Sequence, residues 1–519
     1  MRRVVATVRR LWTDVVQRCI PAVMSMTRRG MLIDPARQEQ LLEAAKKEKE
    51  QQLGLVQMVV APLVHAQMPE APKWDRCAEH PEFAGETARK KCPSCAAIRA
   101  VVSEWRGSRA YKKAMKLAAF NVESNDHLGW LLFEQMALPV LERTDTGKAR
   151  VTIKVLEALI EKRGVEDEAR EVLRALVRLA HIDHRIGVDL CPPVGGDGRV
   201  HPHYTLEGTA IGRLRSGLET FDADKWAGDS YNAQNVPKEV RGIYWAPEGK
   251  VLVELDASQI EWVLMMLLAR CDRAVKAYDV GYDVHSTNAR DVLASVKGWL
   301  WNVEAWDGAA KEQRRVWRAI AKSFTHAADY DEWYVNLAHR LRLEPKIASA
   351  GQKAYFAAWP EIVEWKKEVH DAALANKCLR NPFGRVRRFL DVTVQMRGGV
   401  KRLALNRDAY KEALAFGPAS TNADLWKVVL ADLHEAGFEI VTGTHDSFLL
   451  EVEGDSWEQE TLRAMEVCTR LVPELAALAG RPWRPRFEAK VGRRWEEEAE
   501  DWIPSGVSSA GKESSLASR

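Results

Sequence analysis

Residues 251–261 read VLVELDASQIE, and the architecture that we predict is built on this stretch. Its first five residues are mostly β-prone, whereas the residues from Ile260 onward have helical character. We therefore predict a strand that ends at Asp256 and a helix that follows it. A simpler interpretation is also open, in which Asp256 is only the N-cap of that helix, because aspartate is a favoured N-cap residue.

A second aspartate lies in residues 439–452, which read EIVTGTHDSFLLEV. Two β-prone runs flank a short polar segment, which predicts a hairpin with His445 and Asp446 at its tip, although an ordinary polar turn fits the same residues. Carboxylates at the ends of two adjacent strands can hold two divalent cations about 3.5–4 Å apart, as phosphoryl-transfer sites do. We therefore predict Asp256 and Asp446 as metal ligands, with the peptide oxygen of Ala257 as a further ligand.

A third pattern lies between the two aspartates. Every fourth residue from 314 to 330 is cationic or aromatic, namely Arg314, Arg318, Lys322, His326 and Tyr330. At 3.6 residues per turn, these side chains lie along one slowly drifting face of a helix. Arginine and lysine bind phosphate oxygens and aromatic rings stack on bases, so this face suits a nucleoside triphosphate. The alternative interpretation is a solvated basic helix that binds no nucleotide.

Composition excludes several classes of protein. The chain has 519 residues, of which 46% are hydrophobic, so we expect several packed domains and no wholesale disorder. The net charge of +3 does not by itself indicate a nucleic-acid partner, although basic residues cluster locally. No apolar run approaches the ~18–20 residues of a membrane span. Eight cysteines in so long a chain do not indicate a disulfide scaffold, so we expect a protein of the reducing cytoplasm.

The three patterns together resemble the motifs of family A DNA polymerases, the group of the bacterial repair polymerase and many phage replicases. Residues 256–261 resemble motif A, the four residues Arg318, Lys322, His326 and Tyr330 resemble motif B, and His445-Asp446-Ser447 resembles motif C. Weaker matches follow in the family's order over residues 19–495, and they include Gly212-Arg213, the segment of Gln234, Asp283-Val284-His285 and Gly384-Arg385.

The resemblance implies an α+β right-hand polymerase fold, with a thumb, a palm that carries an antiparallel sheet, and helical fingers. A Pro/Gly-rich breaker at residues 191–198 is the predicted seam between the first lobe and the next. The predicted segments are a lead-in at 1–33, a thumb-like helical lobe at 34–190, palm at 191–271 and 377–503, fingers at 272–376 and a disordered tail at 504–519.

The resemblance also implies a role for each matching residue. Asp256 and Asp446 would hold two Mg²⁺ ions, or Mn²⁺, and Lys322 would protonate the leaving pyrophosphate. The incoming deoxynucleotide would be bound by Arg318, Lys322, His326, Tyr330, Gln259 and Glu261, the last of which would block a ribose 2′-hydroxyl. DNA near the primer end would be contacted by Arg213, Gln234, Arg385 and His445.

Several positions depart from the family's pattern. Ser447 stands where many members have glutamate, so the second acid of motif C is absent, and we expect weaker metal binding rather than inactivity. His326 replaces a phenylalanine or tyrosine, and Asp331 replaces a glycine. Val263 and Ala419 replace polar residues near DNA.

A separate metal site is predicted inside the first lobe. Residues 77–95 contain Cys77-x2-His80 and Cys92-x2-Cys95, which have the spacing of zinc ligands. Four protein ligands would close a tetrahedral, structural Zn²⁺ site in a segment too small for a core of its own.

The predicted function is template-directed DNA synthesis, in which deoxynucleotides are added to a primer 3′-end by two-metal phosphoryl transfer. The polymerase-like region begins near residue 20, so we expect no 3′→5′ exonuclease in this chain. The expected partners are primer-template DNA and deoxynucleotides, and a separate exonuclease, clamp or helicase is a further candidate partner. The resemblance also implies a bacterial or phage-infected host cell. Two alternatives stay open: an enzyme like the single-subunit RNA polymerases, and a catalytically decayed DNA-binding scaffold.

Overall fold

The computed structural model describes residues 9–70, 92–162, 164–217, 231–390, 392–397, 400–496 and 500–502. The prediction of a disordered tail at 504–519 and half of the predicted zinc site, Cys77 and His80, lie outside the described residues. No helix in the described part of the chain is long and apolar enough to cross a membrane.

The described elements are mostly helical, with short strands between them. The α-helices are α1 Ile20–Arg29, α2 Pro35–Gln67, α3 Pro93–Gly107, α4 Arg109–Ala118, α5 Asn125–Gly129, α6 Ile153–Ile160, α7 Asp167–His184, α8 Lys238–Arg241, α9 Ile260–Leu268, α10 Asp272–Asp279, α11 Val284–Thr287, α12 Val303–Gly308, α13 Lys311–Asp329, α14 Tyr334–Leu341, α15 Pro345–Ala358, α16 Pro360–Asn376, α17 Arg407–Glu435, α18 Trp457–Cys468 and α19 Pro473–Ala479. Short π-helical segments cover Leu11–Val16, Trp130–Gln135, Arg185–Asp189 and Asn288–Leu293, and 3₁₀ turns cover Gln17–Cys19, Ala233–Asn235 and Gly454–Ser456.

The strands are β1 Met31–Leu32, β2 Arg199–Val200, β3 Tyr204–Thr205, β4 Arg215–Ser216, β5 Lys250–Ala257, β6 Cys378–Arg380, β7 Val386–Arg388, β8 Val392–Arg397, β9 Val400–Leu405, β10 Glu439–Gly443, β11 Ser447–Glu453, β12 Phe487–Gly492 and β13 Glu500–Trp502. Five of them form one antiparallel sheet in the order β10-β11-β5-β12-β13, and the other strands pair two by two.

The five-stranded sheet has one face in the core and one face that carries the acidic residues. Alternate residues of a strand point to opposite faces. In β5, Val253, Leu255 and Ala257 belong to the main hydrophobic core, in which the buried residues of α9 and of the long helix α17 also take part. Glu254 and Asp256 therefore lie on the opposite face.

The chain divides into two compact units, each of which has its own core. One unit comprises residues 39–191, and the other comprises residues 1–38 with 192–519. In the first unit, Val56, Val60 and Val64 recur every fourth residue along α2 and are buried together with Leu173 and Leu176 of α7. The names thumb, palm and fingers remain predictions for parts of these units.

Candidate active site

Strand pairing brings the two predicted catalytic aspartates together. In the antiparallel pair β5–β11, Ser447 lies opposite Asp256, and the N–H of Ala257 donates to the carbonyl oxygen of Asp446 at 2.8 Å. Asp446 thus occupies the turn directly before β11, one step along the ladder from Asp256. The N-cap of α9 is Gln259, which has a left-handed φ of 52°. The interpretation of Asp256 as a helix cap is therefore wrong, because Asp256 is part of the strand.

The hairpin has the predicted form, with β10 and β11 joined by a turn that carries His445 and Asp446. A Cβ on Gly443 would collide with the ring of Trp426, so only glycine fits at the point where the chain leaves β10. Asn422 of α17 donates to the carbonyl oxygen of His445 at 3.4 Å. Helix α17 thereby supports the turn through this hydrogen bond.

The two carboxyl groups repel each other in a crowded cleft. The side chain of Asp256 reaches solvent, but protein surrounds most of its carboxyl group. This partial burial and the charges of Asp446 and Glu254 raise the pKa of Asp256 to about 7. Burial and the charge of Glu261 also raise the pKa of Asp446. Each carboxylate thus prefers an added positive charge, and their hard oxygen atoms fit the donor set that Mg²⁺ prefers.

Helix α13 presents the predicted cationic face to this acidic pair. Lys322 is exposed, and its charge opposes the rise in the pKa of both Asp256 and Asp446, so its ammonium group lies near the two carboxylates. Arg318 forms a bidentate pair with Asp283, with Nε–Oδ2 and Nη2–Oδ1 distances of 2.5 and 3.1 Å. Although burial alone would raise it, this pair holds the pKa of Asp283 below its usual value.

Two histidine rings lie beside the cations. The ring centroids of His326 and His285 are 5.7 Å apart. Burial and the charges of Arg318 and His326 hold the pKa of His285 well below its usual value. Burial also lowers the pKa of His326. Both rings are thus favoured in the neutral form, which leaves the positive charge of the helical face to Arg314, Arg318 and Lys322.

At the end of α13, the two predicted sugar- and base-pocket residues are bonded to each other. The hydroxyl of Tyr330 donates to Oε1 of Glu261 at 2.6 Å, and Nη2 of Arg213 lies 3.9 Å from the same oxygen. The next residue, Asp331, has a φ of 58°. Aspartate tolerates this left-handed conformation better than most residues, which explains how it can replace glycine here.

The amide of Gln259 is engaged within the protein. Its Nε2 donates to the carbonyl oxygen of Tyr282 at 3.2 Å, and its Oε1 accepts from the N–H of Val284 at 2.8 Å. Gln259 therefore fixes the segment that carries Asp283 and His285 against α9. Its assignment to nucleotide binding stays a prediction, and the observed contacts are those of a residue that positions its neighbours.

Arg385, which the resemblance predicts as a DNA contact, is paired with carboxylates of the protein itself. Its side chain is 10% exposed, Nη2 donates to Oδ1 of Asp424 at 2.7 Å, and Nη1 and Nη2 both contact Glu207. Lys427, which is fully buried, donates to Glu207 at 2.6 Å. Every nitrogen of the guanidinium thus has a carboxylate partner. A DNA contact by Arg385 stays a prediction that requires one of these bonds to open.

The other predicted DNA contacts differ in exposure. Gln234 is buried, and its N–H donates to Oγ of Ser216 at 3.1 Å. The Nδ1 atom of His445 has no hydrogen-bond partner among the described residues. Burial and the charge of Arg213 lower the pKa of His445, so the two predicted DNA contacts at the primer end are close neighbours.

Two acidic residues of this face were missed by the sequence reasoning. Glu254 precedes Asp256 by two residues, and Glu488 lies opposite Asp256 in β12. Both charges raise the pKa of Asp256, after burial and Asp446. A signal for Glu254 was available, because it is the one charged residue inside the apolar run 251–255.

The predicted zinc site is only half described. Cys92 precedes α3, Cys95 lies in its first turn, and both are buried together with the partly buried Ile98. Cys77 and His80 lie outside the described residues. Within the described ranges, no group of three or more histidine, cysteine, aspartate or glutamate side chains is arranged to hold a metal ion.

Comparison with known proteins identifies the group to which these motifs belong. The family model described as DNA polymerase family A matches residues 100–497, which is most of the chain. The chain belongs to DNA polymerase family A. The matched region includes all three motifs and the aspartates 256 and 446.

Curated relatives of this family are longer proteins. DNA polymerase I of Pseudomonas aeruginosa is 28% identical over 391 residues, which are 73% of this chain and 38% of that protein. The thermostable DNA polymerase I of Thermus thermophilus is 27% identical over 404 residues, which are 74% of this chain and 42% of that protein. The chain thus matches about two fifths of the length of these two relatives.

A solved structure shares the fold. It is the POL domain of Pol1 from M. smegmatis in complex with DNA primer-template and dNTP, with a TM-score of 0.64 and 19% identity. The similarity covers 94% of this chain and 71% of that one. The predicted α+β polymerase fold is therefore confirmed.

Proposed function

We propose that this chain is a DNA-directed DNA polymerase that extends a primer by phosphoryl transfer. The observation that carries the proposal is the meeting of Asp256, in β5, with Asp446, in the turn before β11, where the charge of Lys322 of α13 acts on both. Asp256 and Asp446 are 190 positions apart in sequence and Lys322 lies between them, yet the charge of Lys322 acts on both aspartates. Membership of DNA polymerase family A supports the same reaction.

Asp256 and Asp446 would hold two Mg²⁺ or Mn²⁺ ions, with the peptide oxygen of Ala257 as a further ligand. When bound, such ions lower the pKa of the primer 3′-hydroxyl and neutralise charge on the leaving pyrophosphate. The mutual repulsion that raises the pKa of Asp256 favours this occupancy, because an added divalent charge relieves it.

The remaining side chains would bind and orient the substrates. Arg318, held in place by Asp283, and Lys322 would bind the triphosphate, and Lys322 would give a proton to the leaving group. Tyr330 and Glu261, joined by their hydrogen bond, would close the sugar and base pocket. Contacts to the duplex would be largely to phosphates, because a polymerase accepts any sequence.

Primer extension tests the proposal. Wild-type protein is expected to extend a labelled primer on a DNA template with Mg²⁺ or Mn²⁺, whereas Asp446→Asn is expected to bind the primer-template and not extend it. Binding without extension by the wild type would instead support a decayed scaffold. Preferred use of ribonucleotides would support an enzyme like the single-subunit RNA polymerases, an outcome that the Tyr330–Glu261 pair disfavours.

Two narrower proposals accompany this function. We propose that the chain lacks 3′→5′ exonuclease activity, and shortening of a mismatched primer by pure protein, abolished by changing an acid other than Asp256 or Asp446, would contradict it.

We also propose a structural Zn²⁺ held by Cys92, Cys95, Cys77 and His80. Metal analysis of pure protein tests the second proposal, with one equivalent of zinc expected and none in Cys92→Ala/Cys95→Ala.

A further inference from the structure

Ser447 occupies the position in motif C at which many family members have glutamate. Ser447 lies opposite Asp256 in the sheet, and residues opposite each other in a ladder point to the same face. Its hydroxyl is 2.8 Å from Oγ1 of Thr444 and donates to Oε1 of Glu254 at 3.3 Å. The hydroxyl thus connects motif C to a carboxylate of the neighbouring strand.

Glu254 is an unusual residue for its place. It lies in the middle of β5, two residues before Asp256, so its side chain shares the face of Asp256. Its side chain is 8% exposed. A carboxylate in such a position is costly unless it is paired or serves a site.

The cation beside Glu254 is mainly engaged elsewhere. Nη1 of Arg241 lies 2.9 Å from Oε1 of Glu496 and 3.6 Å from Oε1 of Glu254. Arg241 also lies over the ring of Trp495, with its Cζ 4.4 Å from the ring centroid. Arg241 therefore divides one positive charge between two carboxylates. Lys490 lies opposite Glu254 in β12, and its Nζ is 3.8 Å from Oε1 of the same Glu496.

We propose that Glu254 supplies, from β5, the carboxylate that motif C lacks. The carboxylate lies on β5 instead of β11, and the hydroxyl of Ser447, at the motif C position, donates a hydrogen bond to it. Glu254 acts as a positioning residue: it adds negative charge beside Asp256 and orients Ser447, and it thereby raises the affinity of the site for divalent cations. This inference rests on the proposed function, since Glu254 would act on the same pair of metal-binding aspartates.

The first test is Mn²⁺ binding to the full-length, metal-free protein, measured by calorimetry. Glu254→Gln is expected to weaken Mn²⁺ binding about tenfold, the usual effect of losing an outer-shell partner of a metal site. The matched control is Glu451→Gln. Glu451 is a buried glutamate on the same face of β11, and Oε1 lies 2.9 Å from Nη1 of Arg199. The control is expected to lower the melting temperature and to keep the wild-type affinity for Mn²⁺.

The second test moves the carboxylate back. Glu254→Ser is expected to weaken Mn²⁺ binding about as much as Glu254→Gln, and the double variant Glu254→Ser/Ser447→Glu is expected to recover most of the loss. A purely structural role for Glu254 beside Arg241 predicts no recovery, because the double variant leaves Arg241 without that partner. The double variant also decides the matter where Glu254→Gln fails to fold.

The outcomes separate this inference from the proposed function. Wild-type Mn²⁺ affinity in Glu254→Gln, or no recovery in the double variant, would overturn the role of Glu254. Asp446→Asn serves as the reference for the site itself. If Asp446→Asn loses extension and Mn²⁺ binding while Glu254→Gln keeps both, the inference alone fails. If Asp446→Asn keeps both, the proposed function fails as well.

Discussion

Two clusters of charged residues lie in the same compact unit, and they are built on opposite principles. Around Asp256, carboxylates of like charge face one another, and burial with their mutual repulsion raises the pKa of Asp256 to about 7. Around Arg385, opposite charges alternate: Arg385 pairs with Glu207 and Asp424, and Lys427 pairs with Glu207. The carboxylates of the first cluster therefore favour a further cation in addition to Lys322, whereas each carboxylate of the second cluster already has a cationic partner.

This contrast indicates which cluster serves function and which serves structure. Perturbed carboxyl groups that face solvent mark functional sites, because their strain is relieved only by a ligand or a proton. A buried network of opposite charges costs desolvation but is strongly destabilised when one partner is removed. Changes in the first cluster should therefore affect catalysis far more than folding, and changes in the second should do the reverse.

The largest expected effect is on catalysis by Asp256→Asn. Loss of one metal-binding carboxylate should remove about 4 kcal/mol of transition-state stabilisation, which is on the order of a 10³-fold fall in the rate of primer extension. Single-turnover extension measures the rate, and a binding assay with the same primer-template is the control, for which no large change is expected. A fall of less than tenfold would contradict the assignment of Asp256.

The next effect is on stability, by Arg385→Leu. Removal of the guanidinium leaves Asp424 and Glu207 without their main partner, so we expect the free energy of unfolding to fall by about 3–5 kcal/mol in urea titration. Arg387→Leu is the matched control. Its pair with Glu412 is largely exposed, so about 0–1 kcal/mol is expected. A stable Arg385→Leu variant with weakened primer-template binding would favour the predicted DNA contact instead.

The pH dependence of stability gives the third prediction. The pKa of Asp256 is higher in the folded chain, about 7, than its ordinary value of 3.8, so its contribution to stability is complete below about pH 4 and is lost as the pH rises through 7. The loss should be on the order of 1–2 kcal/mol, reduced from the full shift because the side chain reaches solvent.

Asp256→Asn should not show this loss. Metal-free wild type and Asp256→Asn are compared by urea titration from pH 4 to pH 8, and the variant is expected to become relatively more stable towards the alkaline end. Parallel curves would show that Asp256 carries no raised pKa. Saturating Mg²⁺ should reverse the difference, because it stabilises the ionised wild type only.

The smallest effect is expected at Glu261. Its carboxylate accepts from Tyr330 at 2.6 Å and raises the pKa of Asp446, after burial. Glu261→Gln should lower discrimination against ribonucleotides about tenfold, measured as a ratio of kcat/KM values. Tyr330→Phe is the control that removes the hydrogen bond and keeps the carboxylate. Equal discrimination in wild type and Glu261→Gln would remove Glu261 from the sugar pocket.

The sequence alone predicted the local elements well, because their periodicity is local. The strand before Asp256, the hairpin around Asp446 and the helix that carries Arg318 and Lys322 all have the predicted form. Alternating and four-residue spacings decide such elements without reference to the rest of the chain. The resemblance drawn from these motifs was confirmed by the family comparison.

The sequence also left the role of single charged residues undecided. Asp256 fitted a helix cap as well as a strand end until its pairing with β11 was known. Arg385 was a basic residue near a turn, and nothing local showed that Asp424, 39 positions later, would bury it. Glu254 was a charge within an apolar run, with no partner in sequence.

What the sequence determined by itself is therefore which residues form strands and helices and which side chains are chemically able to bind cations and phosphates. The tertiary structure alone decided which polar and charged groups meet: Asp446 and Ser447 beside Asp256 and Glu254, and Glu207 beside Arg385. The physical reason is that secondary structure depends on short-range spacing, whereas the electrostatic state of a side chain depends on charges within a few ångströms, whatever their separation along the chain.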